Sequence, residues 1–216
     1  MIVAGKCPPE EEELEKAFER GFENVELYLE RRHLDSFEEA LEACLEAEVD
    51  VVSVHTPHVS LGESGYFVKA DELASRLDAY LVFHSACVHF SQLSELEEFD
   101  SNHGFENQPG TSMHHWRNAL LEEGRELVFD VAHFYMASNS FQEGLETVLD
   151  RFSDSMSVVH LCDSTELDDG LAFGEGEISV EETIRKVKAS EFDGVVVLEV
   201  MPGDQEEALE KWREVG

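Results

Sequence analysis

Eight short apolar runs, separated by amphipathic stretches, constrain this chain more than any other feature. They lie at residues 1–6 (MIVAGK), 24–29 (NVELYL), 50–55 (DVVSVH), 79–84 (AYLVFH), 102–106 (NHGFE), 126–131 (ELVFDV), 157–162 (SVVHLC) and 194–200 (GVVVLEV). Most are rich in Val, Leu and Phe and too short for helices, so each predicts a strand. The intervening PEEEELEKAFERG has Pro at its start, acid in its first turn and Gly at its end, the signals of a helix with both ends marked. SFEEALEACLEAE, DELASRL, SMHHWRNALLEEG, SFQEGLETVLDRF and SVEETIRKVKAS follow the same periodicity, and DQEEALEKWREV closes the chain. In two of them a Ser precedes a Glu by three residues (Ser36 and Glu39, Ser179 and Glu182), which predicts capping boxes.

Strands alternating with helices predict a parallel sheet, closed into a compact (β/α)8 TIM barrel as a single domain over 1–216. An open doubly wound sheet is the alternative. No GxGxxG follows the first strand, which counts against dinucleotide binding. With 42% hydrophobic residues the chain can bury a core, despite 15 Lys+Arg against 49 Asp+Glu and a formal charge of −34. So negative a field repels nucleic-acid phosphate and anionic membrane surfaces. The acid is spread along the whole chain and Lys is scarce, the pattern expected of a halophilic protein in concentrated salt. No apolar run approaches the roughly 20 residues of a membrane span. The start, MIVAGKCPPEEEE, does not read as a signal peptide, so the expected location is cytoplasmic. Cys7, Cys44, Cys87 and Cys162 show no CxxC pairing and are expected as reduced thiols.

The strand ends carry the chemistry. Strand 2 holds Glu26; strands 3 and 4 end at His55 and His84; strand 5 ends at Glu106. Strand 6 ends at Asp130 with His133 three residues on, strand 7 at His160 with Asp163 three residues on, and strand 8 at Glu199. Taken singly, a strand histidine is more often a satisfied core residue, a terminal Glu is usually solvated, and Asp130 has an alternative task as a helix cap. Taken jointly they predict one site, because a parallel barrel gathers these ends at one face and its buried strands have little other use for carboxylates and imidazoles. Glu106, Asp130, His160 and Glu199 suit one divalent ion, Mn²⁺, Mg²⁺, Co²⁺ or Zn²⁺, and the three carboxylates would repel one another without it. His55, His84 and His133 are left to bind further metal, hold substrate hydroxyls or shuttle protons. His58 and His89 fall in loops near the proposed mouth, His103 starts strand 5 away from it, and His114–His115 read as helix surface. Trp116 and Trp212 are expected in the core, and Phe90, Phe134 and Tyr135 follow strand ends, where some of them would wall a pocket. The loop FGEGEIS (173–179) would either offer backbone amides to a ligand or simply turn tightly.

GFENVEL (21–27), VSVHTPH (52–58), VFHS (82–85), GFENQPG (104–110), LVFDVAH (127–133), VVHLCDS (158–164), FGEGEIS (173–179) and VVLEVMP (196–202) together resemble the xylose isomerase-like TIM barrels, in family order and across nearly the whole chain. That superfamily includes sugar isomerases and epimerases, hydroxypyruvate isomerase, inosose dehydratase and endonuclease IV. The resemblance implies that Glu106, Asp130, His160 and Glu199 ligate the metal and that Glu106 and Glu199 exchange a proton with the substrate carbon. It implies that His133 contacts a substrate oxygen. His55 and His84 resemble the imidazoles that hold further zinc in the endonuclease branch, and Asp163 belongs to the HxxD pattern placed with the substrate contacts. The resemblance also implies dimers or tetramers.

Two departures bear on function. The endonuclease branch carries Asp-x-His after strand 7, but LDDGLAFGEG offers Asp168 and then Gly170 where the His belongs. Epimerases of the family often place an Arg shortly after the strand 7 His, and none lies between His160 and Gly176. The leading expectation is a metal-dependent isomerase or epimerase of a small sugar or related hydroxy-carbonyl compound, working through a metal-stabilised enediolate with Glu106 and Glu199 as the proton-transfer pair. The alternatives are an endonuclease IV-like zinc phosphodiesterase and a barrel that binds without turnover.

Overall fold

Helix α1 (Glu11–Glu19) shows how directly local chemistry sets these elements. Glu11, Glu12 and Glu13 fill its first turn, where acid complements the helix dipole. It ends where expected, because Gly21 takes φ 91°. Gly21 N then donates to Phe18 O at 2.8 Å and Phe22 N to Ala17 O at 3.2 Å, the paired bonds of a Schellman end. Phe22 is thereby turned inward and is buried.

The structure, a computed structural model, describes residues 1–84, 99–138 and 140–216. Cys87, His89 and Phe90 lie outside them. The strands are β1 (Ile2–Cys7), β2 (Asn24–Tyr28), β3 (Asp50–His55), β4 (Tyr80–Phe83), β5 (His103–Glu106), β6 (Glu126–Asp130), β7 (Met156–Leu161) and β8 (Val195–Leu198). They follow one another in sheet order as a closed barrel, which settles the choice against an open doubly wound sheet. The helices among the described residues are α1, α2 (Arg31–Asp35), α3 (Phe37–Glu46), α4 (Gly65–Leu77), α5 (Met113–Ala119), α6 (Val131–Ala137), α7 (Phe141–Phe152), α8 (Val180–Ala189) and α9 (Gln205–Glu214). None is long and apolar enough to cross a membrane.

By internal packing the residues group into two compact units, Ala4–Glu106 and Asn107–Gly216 with Met1–Val3. In the second, α8 buries Val180, Thr183, Ile184 and Val187, a single helical stripe. Each buried aliphatic there contributes about 1.5–3 kcal/mol. Trp116 and Trp212 are buried as expected. Phe134 is also buried, ring against Phe129 and Phe141, and it lines a surface cavity with Met113 and Gly144. His114 and His115 are exposed. Cys7, Cys44 and Cys162 are free and buried, and burial pushes the Cys7 and Cys44 thiols up to about 12.

Both predicted capping boxes are absent. Neither Ser36 nor Ser179 makes a side-chain cap bond. Ser36 also closes the preceding helix, donating its N–H to Arg32 O at 3.1 Å, and at φ −105°, ψ 48° it has left the extended conformation of an N-cap. The box lies one element earlier, in α2, a helix the sequence pattern did not reveal. There the Glu30 side chain and the His33 backbone, and the His33 ring and the Glu30 backbone, bond reciprocally.

Candidate metal and substrate site

Three strand ends meet in the unit Asn107–Gly216. His160, wholly buried in β7, has Nδ1 2.9 Å from Glu199 Oε2 and 3.9 Å from Asp130 Oδ2. Asp130 ends β6 and begins α6. Its Oδ1 accepts the His133 N–H at 2.6 Å as a helix N-cap, which leaves Oδ2 toward His160. The expected alternative of capping and the expected ligand geometry therefore coexist in one carboxylate. Asn107 holds it from behind: its side chain accepts the Asp130 N–H at 2.7 Å and donates to the Asp130 carbonyl at 2.9 Å. Glu199 sits one residue beyond β8, its N–H bonded to Leu161 O at 3.0 Å.

These donors fit a divalent ion. Two carboxylate oxygens and an imidazole nitrogen at 2.9 and 3.9 Å approximate the roughly 3.0–3.4 Å edges of a shell with bonds near 2.1 Å.

His133 is held at both ring nitrogens by oxygen: Nδ1 by Asn107 O at 2.9 Å and Nε2 by Asp169 Oδ2 at 3.2 Å. The hydrogen bond from His133 keeps the half-exposed Asp169 carboxyl below the usual carboxylate range. Asp169 is a neighbour that sequence reasoning missed; its only signal is its place in the stretch before GEG.

Asp163 is a correction. Expected among the substrate contacts, it is fully buried and its carboxylate accepts backbone N–H groups from Ser164 (2.8 Å), Ile178 (2.9 Å), Gly174 (2.9 Å) and Gly176 (3.0 Å). Three amides of the FGEGEIS loop, those of Gly174, Gly176 and Ile178, thus face Asp163, while those of Glu175 and Glu177 bond Ala172 O and Ser164 O. Gly176 is required there: a Cβ would lie 2.4 Å from Asp163 Oδ1 and 2.5 Å from Ser164 O.

The unit Ala4–Glu106 carries a second cluster. Ligand atoms of His55, His84 and Glu106 lie within 4.8 Å of one another. His55 Nε2 is 3.7 Å from Glu106 Oε1, and the His55 and His84 rings meet edge-on at 5.0 Å. The Thr56 hydroxyl accepts the His84 N–H at 3.0 Å and fixes that residue just past β4. Burial pushes the His84 imidazole down to about 3, so it stays neutral. The exposed His58, left unassigned by the sequence, lies against His84, the ring centroids 3.8 Å apart and the planes tilted by 41°. One register row lower, Lys6, Glu26 and Ser53 align. Lys6 Nζ lies 3.0 Å from Glu26 Oε1 and the Ser53 hydroxyl donates to Glu26 Oε2 at 2.8 Å, so a buried carboxylate is both paired and hydrogen-bonded.

Residues 17–215 match the sequence profile described as xylose isomerase-like TIM barrel. Similar solved structures include a xylose isomerase domain protein from Alicyclobacillus acidocaldarius (18% identity, 99% of this chain and 96% of that one, TM-score 0.69). They also include D-allulose 3-epimerase from Methylomonas sp. (14%, 100% and 92%, TM-score 0.68) and AP endonuclease, family 2, from Brucella melitensis (15%, 96% and 96%, TM-score 0.66). No curated protein sequence matches. At these identities the structures speak for the fold alone, whereas the profile spans almost the entire sequence, and on that ground the chain belongs to the xylose isomerase-like TIM barrel family.

Proposed function

We propose that this protein is a divalent-metal-dependent isomerase or epimerase of a small polyhydroxy carbonyl compound. The observation that carries the reading is the convergence of Asp130, His160 and Glu199 from three strand ends. Glu106, which ends the strand before β6 in sheet order, is the fourth ligand in this reading. A cation held there supplies Lewis-acid polarisation of a carbonyl. Glu106 and Glu199 divide the proton transfer: one takes the proton α to the carbonyl and the other returns it. Glu199, with its side chain 27% exposed, is the carboxylate open to an incoming substrate, while Glu106 at 1% is enclosed. His133, its Nδ1 held by Asn107 O, is the substrate-oxygen contact in this reading, through Nε2, which would exchange Asp169 for the substrate.

The test is deuterium exchange at the α-carbon of a panel of keto sugars, with and without Mn²⁺, Mg²⁺, Co²⁺ or Zn²⁺. Wild type should exchange only with metal, and Glu199→Gln should lose about 10²–10⁴-fold, the usual worth of a positioned base. Absence of exchange with every substrate and metal refutes the proposal.

One observation favours a second reading, a multi-zinc phosphodiesterase: His55, His84 and Glu106 are themselves a three-donor group that could hold a further ion. Gly170 opposes it. It occupies the position of the missing His at φ 67°, a conformation that histidine adopts only with strain. Metal stoichiometry separates the two: one ion per chain for the isomerase, two or three for the phosphodiesterase.

A further inference from the structure

Asn107 and Asp169 hold the two nitrogens of the His133 ring, and they are unequal partners. Asn107 offers a backbone carbonyl to Nδ1, from a buried residue that is itself bonded to the Asp130 N–H and carbonyl. Asp169 offers Nε2 a side chain that is 49% exposed, 3.2 Å away, on the connection between β7 and α8. A partner that positions the ring belongs on the nitrogen that a substrate leaves alone, and Asn107 fills that place. Asp169 covers the other nitrogen, the one through which His133 meets a substrate oxygen in the isomerase or epimerase reading.

The loop that carries Asp169 is built to release it. Asp163 and Leu171 pair as an antiparallel bridge, their N–H···O bonds 3.0 and 3.1 Å long, and close the base of a tip over residues 164–170. Within the tip the Thr165 N–H donates to Asp168 O at 2.8 Å, and the Ser164 hydroxyl donates to Thr165 O at 2.8 Å and to Asp168 O at 2.9 Å. The Thr165 hydroxyl accepts the Asp168 N–H at 3.0 Å. These bonds are internal, so the tip keeps its shape when it moves as a body. Apolar burial does little to fasten it, because Leu167 is 86% exposed. Gly170 adjoins Asp169 at φ 67°, and a Cβ there would meet nothing within 4 Å, so the backbone has both the freedom and the room to turn. The Glu199 carboxylate repels Asp169, which weakens the contact with His133. Segments with so few buried contacts open at small cost.

We infer that residues 164–170 form a latch: Asp169 seals His133 Nε2 in the free protein, and an incoming oxygen ligand displaces it and swings the tip about Gly170. The identity of that ligand rests on the isomerase or epimerase reading; the seal itself does not. Asp169 is therefore a competitor built into the chain. A site that is sealed most of the time binds in proportion to the fraction open, so removing the seal improves binding and leaves the chemical step alone.

The experiment uses the full chain and two readouts. The first is the rate at which diethyl pyrocarbonate modifies His133, followed by peptide mass spectrometry, which needs no substrate. The second is kcat and KM for deuterium exchange at the α-carbon of D-fructose and D-xylulose with Mn²⁺. Wild type is compared with Asp169→Ala, with Asp169→Asn, which keeps the volume and removes the charge, and with Asp168→Asn as the control. Asp169→Ala should raise the His133 modification rate and lower KM, each about three- to ten-fold, the worth of a charge-assisted contact to a half-exposed partner. Its kcat should stay within about two-fold of wild type, because the lost contact is absent from the reacting complex. Asp169→Asn should fall between wild type and Asp169→Ala, and Asp168→Asn should match wild type. If modification of His133 is unchanged in both Asp169 variants, the latch is overturned, whether or not a sugar exchanges. If kcat falls in Asp169→Ala and Asp169→Glu restores it, Asp169 positions His133 for the chemistry and the latch is overturned while the reaction class stands. If modification rises in both Asp169 variants and neither sugar exchanges, the seal stands and the reaction class loses its support.

Discussion

Replacing Asp163 by Asn tests what its carboxylate is for. Four backbone N–H groups converge on two oxygens. Asn keeps the shape but has one acceptor oxygen, so two of the four donors then face an NH₂ group. Hydrogen bonds to a charged partner are worth about 1.5–3 kcal/mol each, and a buried donor left unpaired costs about 1–3 kcal/mol. The contacts from Ser164 and Ile178 are buried, whereas those from Gly174 and Gly176 are partly accessible, so water can replace the latter. The expected loss is therefore about 2–4 kcal/mol for Asp163→Asn, well below the sum over four bonds but a large share of the usual 5–15 kcal/mol of a domain. Equilibrium unfolding in denaturant at constant high salt reads it as a lower midpoint at unchanged slope, and amide hydrogen exchange should show Gly174, Gly176 and Ile178 losing protection. Gly176→Ala should be at least as damaging, because the atoms its Cβ meets include Ser164 backbone, which cannot swing aside. Asp168→Asn, in the same loop, is the control and should stay within about 0.5 kcal/mol. If Asp163→Asn matches wild type in stability and protection yet loses substrate turnover, the carboxylate is a substrate contact after all.

Lys6→Met removes the cation beside the buried Glu26 and should cost about 3–5 kcal/mol in unfolding, while Lys6→Met with Glu26→Met should recover most of it; a double variant no better than the single refutes the pairing. His84 is held near 3 in the fold against about 6.5 when unfolded, so between those values the unfolded chain binds the extra proton and stability falls as pH drops. In chelator-treated protein His84→Gln should flatten this dependence, by at most about 1.4 kcal/mol per pH unit, and an unchanged pH profile refutes the assignment. With 49 acids against 15 bases, the unfolding midpoint should climb as KCl rises from about 0.1 to 2 M; a fold equally stable in dilute buffer removes the halophilic reading.

The barrel was legible because buried parallel strands need apolar residues on both faces, and β6 and β7 show that burial almost unbroken. Strand ends were displaced by a residue or two: the ladder at β8 closes at Leu198, so Glu199 sits just past the strand rather than inside it. What the sequence hid depends on partners far along the chain. RRHLD is too short to show an apolar stripe; α2 buries His33 and Leu34 and starts at the Glu30–His33 box, with the exposed pairs of Arg31 with Glu63 and Arg32 with Glu10 adding to it. Asn107 looks like any loop residue until it is seen gripping both backbone polar groups of Asp130, the N–H and the carbonyl. Asp163 was recognised as special, but its pattern cannot distinguish a carboxylate that faces a substrate from one that gathers its own loop. The difference lies in where four amides point.

The DxxH stretch explains why its spacing is fixed. A strand that ends in Asp130 and turns at once into α6 puts the next helical N–H without an internal partner at His133, the third residue of the helix. Asp130 satisfies that donor with Oδ1, and the same bond sets the carboxylate plane so that Oδ2 faces His160. The bond also sets the first turn of α6, which delivers the His133 ring to Asn107 O, and Asn107 is the residue that grips Asp130. Four hydrogen bonds thus form a closed loop in which each member orients the next. A Glu at position 130 would be one methylene too long to cap and face His160 together. An Asn would cap equally well, since it ranks beside Asp at this position, but would bring no charge to a metal. The helix start demands only a short polar side chain; that the residue is Asp, with its second oxygen turned toward a buried imidazole and a second carboxylate, is the part of the motif that capping alone leaves unexplained and that a divalent cation accounts for.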